Sequence, residues 1–131
     1  MIMETYELEE QVFSALTADA SLIELLPNGA KSIFHHVAPS TLKYPAIVYS
    51  PISDVPALNG DNREIAHRVT IRIHVITSAQ HTKADQEKFR EVCGRVKIIM
   101  TGLGFARRQT LPFIEDGSAM LIFDFVKGVS S

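Results

Sequence analysis

Five histidines and one cysteine are the side chains with the greatest capacity for metal binding or nucleophilic catalysis in this sequence. The adjacent pair His35 and His36 lies in a segment that predicts a strand, so alternation places their side chains on opposite faces. His67 occupies an odd position and His74 an even position of another predicted strand, so their side chains also point to opposite faces. His81 follows in the next loop. With no His-x-x-x-His or Cys-x-x-Cys pair, we expect no metal site.

The single cysteine, Cys93, excludes a disulfide within one chain. It lies on the apolar stripe of a predicted helix, where a small buried thiol is more usual than a reactive thiolate. The sequence has no Gly-x-Ser-x-Gly elbow and no Walker-type loop. Gly102-Leu103-Gly104 follows a helix and is too short for a dinucleotide fingerprint. We therefore expect no catalytic site and no cofactor, and we interpret the protein as a binding protein, not an enzyme.

One predicted strand, residues 63–77, has two sides of different chemistry. The apolar side carries Ile65, Val69, Ile71, Ile73 and Val75, and the polar side carries Ala66, Arg68, Thr70, Arg72 and His74. This alternation favours an antiparallel sheet over a doubly wound parallel one. The polar side has two open interpretations: an ordinary solvated sheet face, or a basic surface for DNA or acidic partners. Arg107-Arg108 extends such a surface with one of its two side chains.

The segment before this strand is rich in turn-forming residues, including Pro56 and Asn59-Gly60. It predicts an exposed loop or a hairpin end over residues 53–62. Loops of this length in a compact domain are usually functional, so residues 53–63 are our candidate contact segment, with a mobile hairpin tip without a contact role as the equally favoured alternative. Together with the polar strand face, this gives eight candidate interaction residues. They are Asp54, Asn59, Asp61, Asn62, Arg63, Arg68, Arg72 and His74.

Two main helices are predicted. Residues 4–26 carry an apolar stripe at a spacing of four, and Asp19 or Ser21 caps a short second helix before Pro27-Asn28-Gly29. Residues 83–103 form the other main helix, with Thr82 and Asp85 as a short capping box.

Further strands are predicted at residues 32–37 and 46–52, where Pro51 favours an edge or a bulge. Residues 105–114 and 119–127 form a final hairpin around an Asp-Gly turn. The fold class is thus α+β, with an antiparallel or mixed sheet, both main helices on one face and a C-terminal β-hairpin.

Bulk composition narrows the function classes. The 131 residues suit one domain, residues 1–131, and 46% hydrophobic residues are enough for one core. The net charge of −2 lacks the basic excess of most nucleic-acid binders. No secretory signal and no apolar run of membrane-spanning length is present, so we expect no membrane partner and a protein that acts in a cytosol or in an assembly made there.

The order of several segments carries a family resemblance. Thr17-Ala18-Asp19-Ala20-Ser21-Leu22 ends the first helix, and His36-Val37-Ala38-Pro39 follows. Next come Tyr44-Pro45-Ala46-Ile47-Val48-Tyr49-Ser50-Pro51-Ile52-Ser53-Asp54, the alternating strand, and Gly104-Phe105 before the last hairpin. This order resembles the tail-completion, or head–tail joining, proteins of long-tailed bacteriophages and prophages. Pro51 within the second strand departs from the pattern.

The resemblance implies a structural virion assembly protein without catalytic residues. Similar tail terminators form a ring, often a hexamer, that caps the tail tube and offers a surface to the head connector. The implied partners are further copies of this chain, the tail-tube protein and the connector, with DNA passing a lumen-facing basic strand. The implied location is the virion, and the host cytoplasm during assembly. The alternative is a nucleic-acid or small-ligand binding module that uses Arg68, Arg72 and His74.

Overall fold

The computed structural model describes residues 4–39, 43–60, 63–79, 82–115 and 117–130. Three α-helices, a short 3-10 turn at Gly29–Ser32 and five strands make up this part of the chain. The helices are α1 (Thr5–Ala18), α2 (Ala20–Leu25) and α3 (Lys83–Gly102). The strands are β1 (Ile33–His35), β2 (Ala46–Gly60), β3 (Arg63–Ser78), β4 (Ala106–Glu115) and β5 (Ser118–Ser130).

The five strands form one sheet in the order β1-β2-β3-β5-β4. Strand β1 runs parallel to β2, and every other neighbouring pair is antiparallel. The central strand β3 pairs with β2 from Arg63 to Ile76 and with β5 from Ala66 to Ser78. The sheet is therefore mixed, and both the α+β class and the C-terminal hairpin are confirmed.

The two faces of the sheet differ as the alternation in β3 predicts. One face, called here the helix face, buries Val69, Ile71, Ile73 and Val75 completely. The same face carries Phe123 and Phe125 of β5. Apolar side chains of the two long helices pack against it, namely Leu8, Val12 and Leu16 of α1 and Val92, Val96 and Met100 of α3. Burial of one such side chain contributes roughly 1.5–3 kcal/mol, so this layer makes a large favourable contribution to folding. The opposite face, called the outer face, carries Arg68, Thr70, Arg72 and His74.

The break between α1 and α2 is made by Asp19, as predicted. Its side chain accepts a hydrogen bond of 2.8 Å from the backbone N–H of Leu22 and so begins the short second helix. The same carboxylate pairs with Arg95 of α3. The hydrogen bond from Arg95 lowers the pKa of Asp19, although partial burial opposes the change. One residue thus caps α2 and joins it to α3.

Strand β2 is longer than the sequence predicts. Its residues 53–60 are not a loop, because pairing with β3 (Asp54 with Val69, Pro56 with His67) holds them in a ladder that reaches Gly60 and Arg63. The turn-forming residues are accommodated by register shifts next to Pro51, Pro56 and Leu58, and a bulge at Pro51 was expected. The hairpin-end interpretation is therefore correct and the loop interpretation is wrong. Asp61 and Asn62 lie outside the described residues.

Strand β1 is shorter than predicted. Ser32 belongs to the 3-10 turn, and His36 adopts a φ of 67°, which ends the extended backbone after His35.

The predicted capping box at the start of α3 is present and can be tested by mutation. The Thr82 hydroxyl accepts from the backbone N–H of Asp85 at 3.2 Å, and the Asp85 side chain accepts from the backbone N–H of Thr82 at 3.2 Å. We predict that Thr82→Ala lowers the free energy of unfolding by about 1 kcal/mol in urea denaturation. Thr82→Ser, which keeps the hydroxyl, should retain most of the wild-type value. Equal losses in both variants would contradict the capping role.

Candidate functional site

The structure separates the predicted interaction residues into groups. Arg68, Arg72 and His74 lie together on the outer face, as expected. Asp54 does not join them, because its register with Val69 places it on the helix face. Asn59 and Arg63 lie at the end of the β2–β3 ladder, and the structure describes only their backbone.

Arg72 is held by an ion pair on the outer face. Its Nε lies 2.8 Å from Oδ1 of Asp124 in β5, and its Nη2 lies 3.0 Å from Oδ2. The Asp124 carboxylate is buried and also accepts a hydrogen bond from Gln109 of β4. The hydrogen bonds from Arg72 lower the pKa of Asp124 despite its burial, and the charge of Arg108 adds to the effect. Arg72 is therefore a paired cation.

His74 contributes little positive charge at neutral pH. Burial lowers its pKa, and the neighbouring charge of Arg72 lowers it further, while Asp124 acts weakly in the opposite sense. Because the ordinary pKa of histidine is about 6.5, a lowered value leaves the ring mostly neutral at pH 7. Of the three residues considered for a basic surface, Arg68, Arg72 and His74, the exposed cation is Arg68.

Beside the ion pair, the outer face becomes apolar. A groove of about 380 Å³, called the outer groove, has a mainly apolar lining. Its lining residues are His36, Val37, Ala38, Val48, His74, Ile76, Phe113, Met120 and Ile122. Val37 is 76% exposed and Phe113 is 46% exposed. The three helices of the described ranges pack on the helix face and leave this groove uncovered. An exposed apolar patch of this kind is typical of a protein contact surface.

The outer edge of β2 adds a second exposed feature. Strand β1 pairs only with Ile47, Val48 and Tyr49, so within the described strands residues 50–60 have a partner on the β3 side alone. Ile52 and Val55 on this edge segment are exposed. Prolines 51 and 56 remove backbone donors there, which limits unspecific strand pairing.

The sequence of this chain matches one protein family over most of its length. The family model described as Tail completion protein gp17 matches residues 10–120.

The chain belongs to the tail completion protein gp17 family.

The resemblance drawn from segment order is thus confirmed, and the family role is structural, in the assembly of a phage tail. A chain in a solved structure of the virion of a native gene transfer agent particle has a similar fold, with a TM-score of 0.70 over 95% of each chain and 18% sequence identity. No curated protein sequence matches the chain. Among the described helices of this family member, none is both long and apolar enough to cross a membrane.

Cys93 is buried among the core side chains, as predicted. Burial raises the pKa of its thiol to about 11, although the charge of Lys97 opposes this slightly. At neutral pH the group is therefore a protonated thiol within the hydrophobic core.

A partly buried polar contact on the helix face could not be predicted from the sequence. His67 is buried, and its Nδ1 lies 2.6 Å from Oδ1 of Asp54, whose other oxygen accepts from Thr5. Partial burial raises the pKa of Asp54, but the hydrogen bonds from Thr5 and His67 outweigh it, so the pKa lies below its usual range. The contact links the start of α1 to β2. It depends on the β2–β3 register, which no local signal in the sequence reveals.

The prediction that His35 and His36 face apart is wrong. Because His36 has a positive φ, its ring turns back beside that of His35, with ring centroids 3.7 Å apart. Nε2 of His35 lies 2.7 Å from Oε1 of Glu9 in α1, and Nε2 of His36 lies 3.9 Å from the same oxygen. Three potential metal-ligating atoms thus lie within 4.8 Å of one another.

The Arg72–Asp124 pair generates a pH prediction. Because its folded pKa is lowered, Asp124 adds stability that is complete above the ordinary carboxyl pKa of about 4 and is lost as the pH falls through the folded-state pKa. We predict that Asp124→Asn lowers the free energy of unfolding by about 2 kcal/mol at pH 7, and that this difference shrinks below about pH 4. Urea denaturation across pH measures both effects.

Glu87→Gln, which removes an exposed carboxylate on α3, is the matched control and should change stability by less than about 0.5 kcal/mol. A pH-independent difference for Asp124→Asn would contradict the role given to the ion pair.

Proposed function

We propose that this protein completes a phage-type tail by forming a ring of identical subunits, which caps the tail tube and presents a surface to the head connector. Membership of the tail completion protein family supports the structural role. The fold shared with a chain of a gene transfer agent virion supports a place in a phage-like particle. Each subunit is proposed to be one domain over residues 1–131.

The observation that carries the ring proposal is the outer groove. Apolar surface left in water costs about 25 cal/mol per Å², so Val37 and Phe113 favour burial against another protein. The groove lies on the face opposite the helices, so a neighbour can cover it without disturbing the core. We propose a neighbouring copy of this chain as the occupant.

A closed ring needs two different surfaces on each subunit, since only a head-to-tail contact repeats around an axis. The outer edge of β2 provides the second surface through the exposed side chains Ile52 and Val55. We propose that this edge of one subunit packs into the outer groove of the next. Asn59 and Arg63 at the end of the β2–β3 ladder, together with Asp61 and Asn62, are then proposed for contact with the tail tube.

Nucleic-acid binding on the polar strand is the alternative function. The exposed side chain of Arg68 favours it, and a DNA path through a ring lumen is compatible with it. The pairing of Arg72 with Asp124 and the lowered pKa of His74 reduce the positive charge available for phosphate. We therefore favour assembly through apolar contact over binding through charge.

The ring proposal predicts a change of mass in solution. For the chain alone, light scattering after gel filtration should give the mass of a monomer or of a ring, which is an integral multiple of the subunit mass. For the chain mixed with tail tubes, the subunits should co-elute with the tubes. Electron micrographs of purified tubes should show the assembly at one end. A chain that stays strictly monomeric with and without tubes would contradict the proposal.

The outer groove has its own test. Phe113→Asp places a charge in the groove and should abolish ring formation, because a charge cannot be buried there without a partner. Ile98→Asp is the matched control, since Ile98 is 59% exposed on α3, on the other side of the molecule. Far-UV circular dichroism checks that both variants fold. Loss of assembly in Ile98→Asp but not in Phe113→Asp would show that the subunits meet through the helices and would contradict the groove contact.

The charge-based alternative predicts steep salt dependence. If Arg68 binds phosphate, DNA affinity of the isolated chain should fall linearly on a log–log plot against salt, and Arg68→Gln should flatten the slope by about one. We predict instead no measurable binding to duplex DNA at low salt by fluorescence anisotropy.

A further inference from the structure

We propose that Glu9, His35 and His36 form a binding site for Zn²⁺ or a similar first-row divalent ion. The site shares His36 with the lining of the outer groove, but it does not depend on the tail-completion role. Its three residues come from the middle of α1 and from the end of β1, so an ion bound here would tie the first helix to the sheet edge.

The separations of the ligating atoms suit one small ion. Zn²⁺ lies about 2.0–2.2 Å from nitrogen and carboxylate oxygen ligands, so two ligands of a tetrahedral ion are roughly 3.3 Å apart. The Nε2 of His35 is 2.7 Å from Oε1 of Glu9, and the Nε2 of His36 is 3.9 Å from it. These values lie on either side of the required separation. Small side-chain rotations therefore bring all three atoms to one ion.

The three side chains are positioned by the fold before any ion binds. The ring of His35 packs against Tyr49 with a centroid distance of 5.0 Å, and Tyr49 itself is buried in the core. The backbone N–H of His36 donates to the carbonyl of Tyr49 at 3.0 Å, which holds the positive-φ turn. The Glu9 side chain is only 15% exposed, so its carboxylate stays near the two rings. Both histidines remain partly exposed, which lets an ion enter.

The donor set selects the class of ion. Imidazole nitrogen suits Zn²⁺, Cu²⁺, Ni²⁺ and Fe²⁺, whereas Ca²⁺ and Mg²⁺ require oxygen ligands. Two histidines and one carboxylate are a common zinc ligand set, and they leave a fourth position for water or for a donor from a neighbouring subunit. A simple surface hydrogen bond between His35 and Glu9, without an ion, is the competing explanation.

Isothermal titration of Zn²⁺ into the full chain, prepared without a polyhistidine tag at about pH 7.5, tests the proposal. We expect one ion per chain and a Zn²⁺-dependent rise in melting temperature. Glu9→Gln, His35→Gln and His36→Gln should each weaken binding by more than about 100-fold. Glu87→Gln, which removes an exposed carboxylate on α3, should leave the affinity unchanged.

Nitrogen NMR shifts of the imidazole rings add a readout that locates the ion. Zn²⁺ should shift Nε2 of His35 and His36 and leave the ring of His74 unchanged. The side chain of His36 lies at the surface, so His36→Gln is the variant least able to disturb folding. If His35→Gln fails to fold, His36→Gln still tests the site. No zinc binding, or binding that survives His36→Gln at full affinity, would overturn the site. Because binding is measured on the subunit, a failed ring proposal does not affect this result.

Discussion

The antiparallel pairing of β3 with both of its neighbours is the constraint on which the rest of the structure depends. Because β3 is paired along nearly its full length, its alternating side chains are divided between two faces without ambiguity. The apolar half meets α1 and α3 and forms the core. The polar half is left on a face that no helix of the described ranges covers. The same pairing that stabilises the fold therefore also creates the surface available for contact.

The register of that pairing decides the chemistry of the outer face. It aligns Arg72 with Asp124 and Gln109, and so pairs the partly exposed guanidinium with a buried carboxylate. One end of the face consequently carries the Arg72–Asp124 ion pair and the exposed cation Arg68, and the other end is the apolar outer groove. The apolar groove favours contact with a matching protein surface, and the ion pair leaves Arg68 as the exposed cation among the three candidate basic residues of this face. This balance is the physical reason for favouring assembly over nucleic-acid binding.

Local patterns in the sequence predict much of this fold. The caps at Asp19 and Thr82 and the period-two alternation of β3 depend on residues close together in the chain, and the structure confirms them. The length of β2 could not be predicted, because Pro56 and Asn59-Gly60 favour turns and only pairing with β3 overrides them. The Arg72–Asp124 pair and the convergence of His35 and His36 on Glu9 were equally inaccessible. Each depends on strand register, or on one residue with positive φ.

The central claim is that the outer face, not the helices, forms the contacts of assembly. Hydroxyl-radical footprinting of the free chain and of the chain bound to tail tubes compares the two surfaces directly. We predict that Val37, Phe113 and Met120 lose reactivity on assembly, while Tyr6 and Ile98, which are exposed on α1 and α3, keep theirs. Protection of Tyr6 and Ile98 with an unchanged outer groove would contradict it.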